Sequence, residues 1–205
     1  MSSRPLLRWS AQLVFVSVLA GPPGHLEAQG RYALSLGATW SSSLVHDRIV
    51  GPLRLQPSLA PTLTLAASWP VSRTLRAGPE LSLASGGLRL KESGGSSDAG
   101  TLRSLTLRLG VEGQVTRRLW WRLDAGLVKY LPTEDTGIFQ LGGPRRWLVG
   151  LGAEYRRRWK PKWQWSAGLR YDYHKFTTDE LLVRGFRGTQ DVHRLMLSIG
   201  LARTN

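Results

Sequence analysis

Residues 163–174, WQWSAGLRYDYH, sort by parity into two kinds. Trp163, Trp165, Ala167, Leu169, Tyr171 and Tyr173 are apolar or aromatic, whereas Gln164, Ser166, Gly168, Arg170, Asp172 and His174 are small or polar. A β-strand sends alternate side chains to opposite faces, so this segment has one greasy face and one charged face. Which of them meets water decides the fold.

The same period runs through the chain. Leu63, Leu65, Ala67 and Trp69 alternate with Thr62, Thr64 and Ser68, and Leu105, Leu107, Leu109 and Val111 with Thr106, Arg108, Gly110 and Glu112. Segments at 75–83, 119–131, 147–155 and 195–201 follow the pattern, and the first, 32–44, carries its apolar residues on even positions. This makes eight strands. Helical spacing of apolar residues is missing, and after the N-terminal segment no apolar run is long enough for a transmembrane helix.

The connections alternate in length. Tight turns fall at VSRT, VTRR and RWKPK, and longer loops at 46–57, 92–101, 132–144 and 177–189. Short turns at one end and long loops at the other describe an even-stranded antiparallel barrel embedded in an outer membrane. The pair Gly86 and Gly87 shifts the apolar parity to Leu88 and Leu90, as a bulge near the loop end of the third strand would.

Composition agrees with a membrane wall. The chain has 205 residues, enough for one domain, and a formal charge of +14 that suits an anionic partner such as a membrane surface. Its 23 glycines and nine tryptophans fit poorly with a nucleic-acid-binding domain, which would need an aromatic platform on a wet face. With no cysteine, there is no disulfide or thiolate chemistry. Residues 1–28 read as a secretory signal peptide: Arg4 and Arg8 lead an apolar run over 11–20, and small residues precede cuts after Ala28 or Ala20. No cysteine follows to mark a lipoprotein. The expected mature domain is 29–205.

Two observations decide which face is wet. The polar parity is Gly, Ser, Thr and Ala with interspersed Arg, Asp and Glu, which suits a cramped interior better than a solvated exterior. Trp69, Trp121, Trp159, Trp163 and Trp165 all fall at the short-turn ends of strands, as an interfacial aromatic girdle would. The greasy face is therefore expected to meet lipid. The charged face then fills the barrel, with Arg76, Arg108, Arg122, Arg156, Arg170 and Arg194 against Glu80, Glu112, Asp124, Glu154 and Asp172, and His174 among them. If the hairpin at Thr116 and Arg117 is tight, Glu112 lies across from Arg122, Asp124 from Gly110 and Arg108 from Gly126. In the next hairpin Gly152 faces Arg170 and Gly150 faces Asp172, with Glu154 diagonal to Arg170. Pairing of these charges would close the interior. Arg73, Arg117, Arg118, Arg156, Arg157, Arg158, Lys160 and Lys162 gather at the short-turn end, either as a solvated rim or as contacts to anionic phospholipid headgroups, worth about 1 kcal/mol each.

The signal peptide, the eight alternating strands and the turn and loop asymmetry together resemble the small OmpA/OmpX-type outer-membrane barrels over the whole of 29–205. That resemblance implies residence among phospholipid and lipopolysaccharide, insertion by the barrel-assembly machinery, and no cofactor. It also implies a terminal aromatic residue, and this chain departs from it by ending LMLSIGLARTN.

Fold does not fix function. The leading expectation is a non-enzymatic barrel with a structural or loop-mediated binding role. A hydrolase acting on lipid A would need a nucleophile beside a base: His174 is the best candidate base, but no His-x-Ser arrangement accompanies it, and a plain interior histidine bonded to carboxylates fits better. A small diffusion pore is the third reading. His25, His46 and His193 lack metal-ligand spacing, and GLGAEY opens no helix that would cradle a phosphate.

Overall fold

The computed structural model describes residues 29–47, 53–92, 95–134, 139, 143–183, 185 and 189–205. The expected signal peptide, 1–28, lies outside them. Among the described residues the strands are β1 (Arg31–Ser41), β2 (Val45–Asp47), β3 (Leu53–Pro57), β4 (Ala60–Pro70), β5 (Leu75–Glu92), β6 (Gly95–Gln114), β7 (Leu119–Pro132), β8 (Arg145–Lys160), β9 (Trp163–Phe176) and β10 (Gln190–Thr204), with one short helix, α1 (Asp179–Val183).

Eight of the strands close a barrel. The order runs β5, β4, β1, β10, β9, β8, β7, β6, and β6 pairs back onto β5, all antiparallel. Closure matters because it leaves no barrel strand with an unpaired edge, the condition for strands to cross a membrane.

The residues left over follow from the sequence more loosely. β2 and β3 form a hairpin inside what reads as the first long loop, and β3 adds to the upper end of β5. The expected loop at 92–101 is mostly ladder: Lys91 pairs with Ser96 and Glu92 with Gly95, and Gly95 takes a φ of 149° that L side chains rarely adopt. Short polar side chains such as Ser96 and Ser97 signal a loop by composition. They also tolerate a two-stranded ribbon whose backbone groups bond each other.

The register slips between Gly87 and Arg89, so the bulge is where the glycine pair indicates. Its consequence differs from the expectation. Leu88 keeps the inward parity and is fully buried, and Leu90 packs beside it. Together with Leu44, Val45, Leu55, Leu102, Val128, Tyr130, Phe139, Leu148, Phe176, Leu181 and Val192 they form an apolar plug in the long-loop mouth of the barrel. Leu44, read as the end of the first strand, lies beyond β1 and joins this plug.

Outward-facing residues are overwhelmingly apolar. Leu36, Leu107, Leu123, Val149, Leu197 and Ile199 are exposed, Ile199 by 70%. No helix among the described residues is long and apolar enough to cross a membrane, so a crossing would be made by strands. A monomer in water rarely exposes a continuous apolar band of this kind.

Candidate functional site

The inner face is the candidate site, because the chemistry-bearing residues converge there. Strand alternation aims them inward, and barrel closure stacks them in layers. Near the short-turn end, Arg31 Nη2 donates to Glu154 Oε1 at 2.8 Å and Arg156 Nη2 reaches Glu154 Oε2 and Glu112 Oε2, each at 2.5 Å. Ser68 Oγ donates to Glu112 Oε1 at 2.9 Å, and Arg76 lies 3.5 Å from the same oxygen. Trp120, also turned inward, sits 4.4 Å beneath the Arg156 guanidinium. Five charged groups and one ring make a single cluster.

The next layer is centred on Glu80. Its carboxylate takes two bonds from Arg170, one of them Nη2 to Oε2 at 2.8 Å, with Arg108 Nη1 at 2.9 Å and Arg122 Nη1 at 3.1 Å. Arg108 Nη2 also donates to Asp172 Oδ2 at 2.5 Å, and Arg122 Nε to Asp124 Oδ2 at 3.2 Å. Three arginines thus meet three carboxylates. Arg108 is only 2% exposed, and charged groups that deep persist when they are paired and hydrogen-bonded.

The ladder agrees with the expected register. Glu112 is across from Arg122, Asp124 from Gly110, Arg108 from Gly126, Gly152 from Arg170 and Gly150 from Asp172. Facing in the ladder is nevertheless not pairing: Glu112 bonds Arg156, two strands away, and Arg122 bonds Glu80 and Asp124. Long side chains in a narrow barrel reach across the axis, and the glycines make that possible. A Cβ at Gly110 would come within 2.9 Å of Arg122 Nη2, and one at Gly150 within 2.6 Å of both Asp124 Oδ1 and Asp172 Oδ1.

Two residues expected among the charge pairs lie apart from them. His174 is buried in the apolar plug, where Nε2 bonds the Tyr130 hydroxyl at 2.7 Å rather than a carboxylate. Among the described residues Arg194 makes only a 3.4 Å bond to Ser104 Oγ, although Asp172 is its neighbour in the ladder. Arg156, expected on the outer rim as well as inside, is buried and belongs to the lower cluster. Arg73, Arg117, Arg118, Arg157, Arg158, Lys160 and Lys162 remain exposed at the short-turn end. Sequence reasoning missed Arg31 and Trp120; the odd parity of β1 and the even parity of β7 point both inward.

Trp69, Trp159, Trp163 and Trp165 are exposed on the outer face at the same end, and Trp121 lies half-buried over Gly113. The side chain of His46 lies outside the described residues, and those residues contain no cluster of three or more metal-ligating groups.

These features define an eight-stranded antiparallel transmembrane β-barrel of the outer-membrane kind, apolar outside and ionic within. Among solved structures, the chain is similar to Neisserial surface protein A, NspA, at 14% identity and a TM-score of 0.51, covering 85% of this chain and 95% of that one. It is also similar to the outer membrane protein OprG from Pseudomonas aeruginosa, at 11% identity and a TM-score of 0.53, covering 87% and 97%. No family model and no curated protein matches the chain.

Proposed function

We propose that this chain is a non-enzymatic protein of the bacterial outer membrane, exported through residues 1–28 and inserted by the barrel-assembly machinery. It would act as a wall element and a rigid base for its exposed loop structures, with an interior that does not conduct. The observation that carries this reading is the filled interior: two layers of ion pairs under an apolar plug in the mouth. An eight-stranded barrel has room for little besides its own side chains. The exposed arginines and lysines beside the tryptophans would meet phospholipid headgroups, and the opposite rim lipopolysaccharide.

A lipid A hydrolase finds less support. His174 is enclosed in the plug, and its bonded neighbour is the Tyr130 hydroxyl rather than a serine. In planar-bilayer recording, the purified protein should give no steady channel. Large, ion-selective and long-lived openings would replace the closed barrel with the diffusion pore.

Orientation follows from the length asymmetry. The β4–β5, β6–β7 and β8–β9 turns should face the periplasm, and the β5–β6 ribbon the outside. A cysteine at Ser97, exposed near the tip of that ribbon, should react with an impermeant thiol reagent on intact cells, and one at Arg117 only after the outer membrane is broken. The reverse pattern would invert the topology. Gly137, in the third long loop, lies outside the described residues.

A further inference from the structure

The inward-facing arginines outnumber the carboxylates they meet. Arg31, Arg76, Arg108, Arg122, Arg156 and Arg170 all have carboxylate partners among Glu80, Glu112, Asp124, Glu154 and Asp172. Among the described residues, Arg194 has none. It is 5% exposed, and its Nε and Nη1 have no hydrogen-bond partner. Among the same residues Asp172, across from it in the ladder, is held by Arg108 through Oδ2 alone, and its Oδ1 turns toward Gly150 without a hydrogen-bond partner. Arg146 brings another cation near the same mouth and donates to the Thr177 carbonyl. A buried guanidinium without a counter-charge is strongly unfavourable in a low-dielectric interior.

Arg194 also lines a small cavity between the ionic layers and the apolar plug. The cavity measures about 20 Å³ and is walled by Thr39, Ala84, Leu102, Ser104, Tyr130 and Arg194, among others. That exceeds the 10–15 Å³ needed for one water, so the cavity has room for one monatomic ion. Its polar wall offers donors. Ser104 Oγ accepts from Arg194 Nη2, which leaves the hydroxyl proton free. Where His174 carries its proton on Nε2 and donates to the Tyr130 oxygen, the Tyr130 proton is free as well. Thr39 contributes less, because its hydroxyl is bonded to Thr62, which itself donates to the Ala60 carbonyl.

We propose that this cavity is a buried halide site, in which Arg194, Ser104 and Tyr130 hold one chloride ion. Water would satisfy the same donors but would not neutralise the guanidinium. The ion gives Arg194 a counter-charge, reduces the excess of inward arginines over carboxylates, and ties β6, β7 and β10 together beneath the plug.

The test uses the whole barrel in a neutral detergent. Crystals grown in sodium bromide should show a bromide anomalous peak within hydrogen-bonding distance of Arg194; no peak there overturns the proposal. At constant ionic strength, replacing gluconate with chloride or bromide should raise the unfolding midpoint in a saturable way. The near-isosteric Arg194→Met should unfold at a midpoint independent of the halide. If gluconate protects as well as chloride, or Arg194→Met keeps the halide response, the effect is general screening and the site does not exist.

Discussion

Replacing Glu80 with alanine is expected to destabilise the barrel by about 3–5 kcal/mol, the usual loss when one partner is removed from a buried ionic set. Glu80 makes the shortest contacts to Arg122 and Arg170 and a 2.9 Å contact to Arg108, so its removal leaves three inward guanidinium groups sharing Asp124 and Asp172. Urea unfolding of the barrel refolded into phospholipid vesicles measures the loss. Removing Arg170 as well should return part of it, so Glu80→Ala combined with Arg170→Ala costs less than the two losses added. The lower cluster gives a sharper contrast. Glu112 and Arg156 should be coupled in such a cycle, being 2.5 Å apart. Glu112 and Arg122, ladder neighbours whose charges bond elsewhere, should be close to additive. Strong coupling in the second cycle and none in the first would mean that pairing follows the ladder, and that the cross-axis network is wrong.

Arginine at Leu107, Leu123 or Leu197 is expected to cost about 2–4 kcal/mol in vesicles, the range for a basic side chain facing lipid at mid-bilayer. All three sit in the middle of strands and point outward, Leu197 being 62% exposed. In water such a position would tolerate arginine almost freely, so the size of the loss reports what surrounds the barrel. Ser198→Thr, one residue further and on the inner face, should cost far less. A protein that is recovered from the periplasm as a monomer without detergent, and that accepts arginine at all three positions without loss, would reverse the assignment of faces.

Both experiments separate what parity states from what it leaves open. Period two in β4, β6, β9 and β10 identified strands and divided each into two faces, because a pleated backbone allows a side chain only two directions. The glycines at 110, 126, 150 and 152 and the tight turns even set the ladder correctly. Leu88 and His174 were less legible. The sequence reading sends His174 inward but among carboxylates, and shifts Leu88 to the apolar outer face; along the barrel axis the interior changes from ionic to apolar, and a two-state alternation carries no information about depth. Composition also misled at 92–101, where serine and glycine suggested a loop and the backbone formed a ribbon.

The sequence by itself therefore determined the strands, their faces, the bulge and the asymmetry of turns and loops, all of which arise between residues close along the chain. The tertiary structure alone decided which charges bond. Closing eight tilted strands around a narrow axis brings Arg170 onto Glu80, 90 residues away, and Arg156 onto Glu112, 44 residues away, past their ladder neighbours. It also left Arg194 without a carboxylate among the described residues, because that balance depends on the reach of every side chain in the layer at once.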